Sequence, residues 1–175
     1  MNIKSMTRIS LFASVLAISV YLVPPIQIPM IEVSFTLQTM VIVLIGFLLT
    51  PLEAFLSVLI YILIGAVGLP VFSGARGGFS VLFGPSGGFL ILFPFVSLGI
   101  SLLKSAQKKM VYHVLVAFMI SVPMLYLLAN IYLSFVLEMN YWISLLSLLP
   151  LVPFDIIKIL LAYFIYLKIP KHILE

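Results

Sequence analysis

The chain has 175 residues, of which 64% are hydrophobic and 8% charged, with a net charge of +4 and no cysteine. Soluble domains carry about 25% charged residues, so this composition, with a mean hydropathy of +1.35, excludes a soluble globular domain and points to an integral membrane protein. The lack of Cys excludes disulfides and thiolate chemistry. The positive surplus calls for no nucleic acid, because most basic residues fall at the ends of apolar runs, where they set membrane orientation.

A membrane-crossing helix needs about 20 apolar residues. The first span is expected over about 7–23 and stops at Pro24-Pro25. Lys4 and Arg8 ahead of an apolar run resemble a signal peptide. No small-residue cleavage site precedes Pro24, however, and more apolar segments follow, so the span is read as retained. Residues 26–34, with Pro29 and Glu32, read as a connector. The second span is expected over 35–49 and the third over 53–68. The third is entered through Thr50-Pro51-Leu52-Glu53, where Pro51 suits a first helical turn that needs no backbone donor. A fourth span over 86–103, a basic loop over 104–109 and a fifth span over 111–137 follow. A polar stretch at 138–141 leads to a sixth span over 145–167, with Pro150 and Pro153 near its start.

The second span is short, so the count rests on charge. With the N-terminus inside, six spans put Lys4, Arg8, Lys104, Lys108, Lys109, Lys168 and Lys171 on the cytoplasmic side and only Arg76 in an outer loop. Fusing the second and third spans would place the basic N-terminus and the basic loop on opposite sides. The expectation is an all-α membrane protein of six transmembrane helices, one domain over 1–175, multi-pass in the cell membrane with both termini cytoplasmic. No internal repeat or low-complexity tract is visible.

Between the third and fourth spans, residues 65–89 read GAVGLPVFSGARGGFSVLFGPSGGF and hold eight of the ten glycines. Glycine permits backbone conformations closed to other residues and close approach of a ligand. A flexible linker would be rich in Ser and charge, whereas this stretch carries Leu69, Val71, Phe72, Phe79, Val81, Leu82 and Phe83, which favour burial. It reads as a folded cap on the outer face, over a site.

Two charges lie deep in the sixth span. Asp155 and Lys158 are three residues apart, so they share a helix face, and each costs about 2.5–3.5 kcal/mol near mid-membrane on insertion scales. A self-neutralising pair that pins helix packing would fit. So would a pair lining a cavity beneath the cap, where an ammonium takes a carboxylate and a carboxylate accepts N–H donors from a urea-like group. Gln38 and Thr36, at the outer end of the second span, are placed to line the same cavity, and Tyr61, Phe72 and Phe79 to supply apolar walls. The GPSGG turn (Gly84, Gly87 and Gly88 among its residues) opens the fourth span with amides that favour an anion. Asn130 reads as an interhelical hydrogen bond, and His113 and His172 as solvated groups at the inner surface. On the first span, Ala13 and Ala17, flanked by Ser10 and Ser14, make a small-xxx-small face that allows close helix approach.

The run GAVGLPVFSGARGGFSVLFGPSGGFL, preceded by VSFTLQT and followed by PFDIIK, resembles the BioY family of biotin-specific S components of energy-coupling factor transporters. The likeness covers nearly the whole chain, with Ser34, Phe154 and GPSGGF where the family usually has Pro, Gly and GPTGGY. It implies capture of biotin from outside and partnership with a transmembrane T component and two ATPases. The family's AxxxA contact with the T component then falls on Ala13 and Ala17. The resemblance puts Asp155, Lys158 and the glycine loop in the pocket; with the residues placed above, the expected ligand set is Asp155 and Lys158 with Arg76, Gly77, Gly78, Phe79, Gly84, Gly87, Gly88, Gln38 and Thr36. Asp155 is expected at the ureido N–H donors; Lys158 is expected either at the ureido carbonyl or at the carboxylate, with Arg76 and the GPSGG amides as rivals for the latter.

No cofactor, metal or enzymatic activity is expected. No GxxxxGK[ST] P-loop is present, so energy for active uptake must come from a partner. A solitary or ion-coupled carrier of biotin or another small carboxylate is the alternative; such carriers often show paired repeats with broken helices, and none is visible. An intramembrane enzyme would have one deep acid and no HExxH to work with.

Overall fold

The computed structural model describes residues 2–22, 26–27, 34–105, 107 and 109–170. The Pro24-Pro25 stop, Pro29 and Glu32 of the connector, Lys108, Lys171 and His172 lie outside the described residues. Among those described, α1 is Ile3–Leu22, α2 Gln38–Leu48, α3 Pro51–Ala66, α4 Phe79–Phe83, and α5 Gly87–Leu103. Two longer helices follow, α6 Met110–Val136 and α7 Tyr141–Lys168. The one sheet among the described residues pairs β1 (Ile26–Gln27) antiparallel with β2 (Ser34–Phe35), in the register Ile26↔Phe35 and Gln27↔Ser34.

By length and composition α1, α6 and α7 can cross a membrane, and α2, α3 and α5 are shorter apolar helices. The apolar run expected to be helical from residue 35 starts its helix only at Gln38, because Ser34 and Phe35 are taken up by the pairing with β1. Eleven residues give α2 a length of about 16 Å, too short for a hydrocarbon core of about 30 Å. Nine of those residues are buried, and α2 packs against α1, α3, α5 and α7. It is a central helix with protein around it. The last helix begins at Tyr141, four residues before the expected 145, and runs through a 3₁₀ turn at Leu149–Leu151, the tighter geometry being well suited to Pro150 near its start.

The ends of a helix leave carbonyls without helical partners, and α2 ends where little water reaches. There the Ser101 hydroxyl donates to the Leu49 carbonyl at 2.6 Å. The Lys104 ammonium, just beyond α5, donates to the carbonyls of Phe47 and Leu49 at 3.2 and 2.5 Å. Burial pushes that ammonium down to about 8, with Glu53 pulling the other way. As expected, Pro51 stands in the first turn of α3.

The ends of the helices alternate. Arg8 near the start of α1 meets Glu53 at the start of α3, while the Tyr21 hydroxyl near the end of α1 donates to the Pro70 carbonyl just past α3. At that second end Tyr132 of α6 donates to the Leu82 carbonyl at 3.2 Å. The glycine-rich segment and the α6–α7 turn therefore share one end of the bundle.

Candidate functional site

The segment after α3 folds back on itself. Phe72 and Arg76 form an antiparallel bridge around a turn in which Gly74 and Ala75 take φ of 74° and 55°. Phe72 is laid over α3 at Gly65, where an added Cβ would stand 2.2 Å from its ring; glycine is required there by contact, not by conformation. A second anchor comes from inside: the Thr36 hydroxyl donates to Gln38 Oε1 at 3.3 Å, Gln38 Nε2 donates to the Tyr61 hydroxyl, and Tyr61 donates to the Val71 carbonyl at 3.1 Å. Gln38 thus helps hold the base of the segment.

Beneath this segment lies a cavity of about 700 Å³, counting its open mouth. Thr36 just before α2, Gln38 and Thr39 in its first turn, Arg76 at the rim, Ser73 and Ser86, and Asp155 and Lys158 from α7 supply its polar wall. Phe72, Phe89, Leu90, Phe93, Leu125, Tyr126, Leu148 and Leu151 supply most of the apolar wall. A mostly apolar hollow with a few convergent polar groups is the common form of a small-molecule site.

At its floor Lys158 Nζ donates to Asp155 Oδ1 at 2.9 Å and to the Thr39 hydroxyl at 3.0 Å. The Tyr126 hydroxyl donates to Asp155 Oδ2 at 2.5 Å. The two side chains of the ion pair are 7% and 14% exposed. A carboxylate offers about four lone-pair sites, so after these two bonds Asp155 keeps acceptor capacity toward the cavity. The arrangement can receive a ligand with N–H donors at the carboxylate and an acceptor or anion near the ammonium and at Arg76.

Tyr126 and Thr39 are absent from the sequence-derived set. Tyr126 belongs to a π-helical turn, Met124–Leu128, that directly follows Pro123; Pro lacks the amide a regular helix would use. The wider turn lets the adjacent residues Leu125 and Tyr126 both line the cavity, and such turns recur at functional sites. The only hint in the sequence was Pro123 inside a long apolar run. Thr39 could have been found from the T-L-Q-T spacing, which puts it one helical step beyond Gln38.

Several expected residues stand elsewhere. Phe79 is 64% exposed and stacks on Phe83 at 6.5 Å; in the short α4 these two share the outward face while Val81 lines the cavity. Gly77, Gly78, Gly84, Gly87 and Gly88 are not among the lining residues. Gly77 and Gly87 face their own chain, where a Cβ would stand 2.3 Å from the Leu69 carbonyl oxygen and 1.9 Å from that of Leu82. Gly88 packs on Tyr132, Gly78 caps the start of α4, and the Gly84 carbonyl takes the Gly87 amide at 2.9 Å. Asn130 makes the expected interhelical contact, accepting from the Ser144 hydroxyl at 2.5 Å and donating to the Tyr141 carbonyl at 3.0 Å.

Two placements correct the sequence reading. His113 is fully buried, not solvated, because the start of α6 meets the ends of α2 and α7: Phe47, Tyr163 and Tyr166 lie within 5.7 Å, centroid to centroid. Ala13 is 1% exposed and Ala17 packs against the core, so that face of α1 is spent on the chain's own interior. The small residues left outward on α1 are Ser10 and Ser14.

A sequence model of the BioY family matches residues 1–175. A relative from Bacillus subtilis (strain 168), named a probable biotin transporter BioY, is 35% identical over 98% of this chain and 92% of its own. The biotin transporter BioY of Thermotoga maritima is 30% identical over 96% of each chain. Among solved structures, the S-component for biotin from an ECF-type ABC transporter matches with a TM-score of 0.86 at 29% identity, over 94% of this chain and 89% of that one.

Proposed function

This chain belongs to the BioY family, and from that premise we propose that it captures biotin outside the cell and passes it across the membrane with an ATP-driven module of a T component and two ATPase subunits. It is a multi-pass membrane transport protein, not an enzyme. The observation that carries the ligand assignment is the Asp155–Lys158 pair at the floor of an apolar cavity closed by the glycine-rich segment. Biotin offers a ureido ring, an apolar ring and chain, and a carboxylate. The ureido N–H groups go to Asp155, the rings and chain lie against Phe89, Phe93 and Leu125, and the carboxylate goes to Lys158 or Arg76.

The orientation follows from charge. Six helical crossings, counting the short central α2, place Lys4, Arg8, Lys104, Lys109 and Lys168 at one end, which the positive-inside rule makes cytoplasmic. The glycine-rich segment and the cavity mouth are then outside. The coupling face is the outward row of α1 that includes Ser10 and Ser14, where small side chains permit close helix approach.

Biotin uptake by cells that lack another biotin carrier, with and without the T component and ATPases, tests this reading. Uptake is expected only with the module. Undiminished uptake by the chain alone would overturn it in favour of a solitary carrier.

A further inference from the structure

At the end of the bundle away from the cavity, the Arg8 guanidinium of α1 meets the Glu53 carboxylate of α3 at 2.6 Å, with side chains 21% and 6% exposed. Glu53 sits in the first turn of α3, where the helix N-terminus favours a carboxylate, and its second oxygen accepts the Thr50 amide at 3.2 Å. The pair lies outside the cavity and takes no part in the ligand chemistry derived above. It still places two charges in a chain that has very few.

Ser5 of α1 also hydrogen-bonds Glu53, and apart from Ser19 the rest of the buried side of α1 is apolar: Ile9, Phe12, Ala13, Leu16 and Val20. Apolar contact is non-directional, and in a bilayer it gives helices little reason to prefer one rotation over another. A charged hydrogen bond is directional, and fixing register is the best-attested use of a buried polar pair. Opposite the pair, Ile3, Met6, Thr7, Ser10, Leu11 and Ser14 line an open groove on α1. The hydroxyls of Thr7, Ser10 and Ser14 donate back to the carbonyls four residues earlier, at 3.0, 3.0 and 2.9 Å. That row therefore needs no polar partner and can pack dry against another helix.

Resting on the function proposed above, we propose that Arg8 and Glu53 are positioning residues for transport. Their bond sets the rotation of α1 against α3, and so the direction in which the groove row faces the transmembrane partner, without acting on the ligand pocket.

The experiment compares biotin binding to the purified chain with biotin uptake in the presence of the coupling module. Glu53→Gln, and the double variant Arg8→Met/Glu53→Leu that leaves no unpaired charge, should each keep biotin affinity within about threefold. Uptake should fall by at least about fivefold, and Arg8→Lys, which retains the charge, should restore more than half of it. Wild-type uptake in the double variant, or affinity that falls in step with uptake, would overturn the proposal, the second by making the pair merely structural. Wild-type uptake that is indifferent to the module would overturn the underlying reading as well, and the wild-type arm separates that result from a failure of the pair.

Discussion

Two ion pairs hold four of the chain's 14 charged residues, and they are built differently. Asp155 and Lys158 stand on one helix, three residues apart, and are completed by Tyr126 from α6 and Thr39 from α2. Arg8 and Glu53 stand 45 residues apart on two helices and do not line the cavity that holds the first pair. The first pair does not need the tertiary fold to meet, so the fold is free to surround it with a cavity. The second exists only because the fold brings its members together, so its geometry reports how α1 lies on α3. A charge pair that closes locally is suited to receiving a ligand; one that closes at long range is suited to fixing a helix.

The largest expected effect breaks the first pair. Asp155→Asn or Lys158→Met leaves a buried charge without its counter-charge, at about 2–5 kcal/mol, which is about 30-fold to several-thousand-fold in biotin affinity. Equilibrium binding of biotin and its methyl ester to both variants checks this, and near-native affinity in both would reduce the pair to a packing device. Tyr126→Phe is the next step down. It removes one hydrogen bond to a carboxylate that keeps Lys158, so about a tenfold loss of affinity is expected, near the lower edge of the range for charged hydrogen bonds. An unchanged Kd in that variant would separate Tyr126 from the site. The smallest effect belongs to the second pair. Replacing both members of a buried ion pair by apolar groups is often neutral, so Arg8→Met/Glu53→Leu should move the unfolding midpoint in detergent by no more than about 4 °C. A fall well beyond that would show that the two pairs share a structural role and would erase the contrast between them.

Much of the site was legible because its signals are local. Asp155 and Lys158 announce themselves as charges inside an apolar span, and residues 65–89 as a dense run of glycines among aromatics. The chain's own backbone consumed much of that glycine signal: Gly77 and Gly87 let parts of the segment approach one another, and Phe72, Ser73, Arg76, Val81, Ser86 and Phe89 are what the cavity meets. The face of α1 was misread for a related reason. Ala13 and Ser14 are equally small and adjacent, and only packing against α3 and the core decides which of them is spent inside.

By itself the sequence determined the membrane class, the helices α5 and α6 to within one residue of their expected ends, and the charged floor of the cavity. Each follows from composition or from spacing along one helix, which carry over unchanged into the fold. Only the tertiary structure decided that α2 is a buried central helix, that His113 lies among Phe47, Tyr163 and Tyr166, that a π turn brings Tyr126 to Asp155, and that Arg8 finds Glu53. A continuous apolar run looks the same whether lipid or protein surrounds it, and a contact between distant residues leaves no period in the chain.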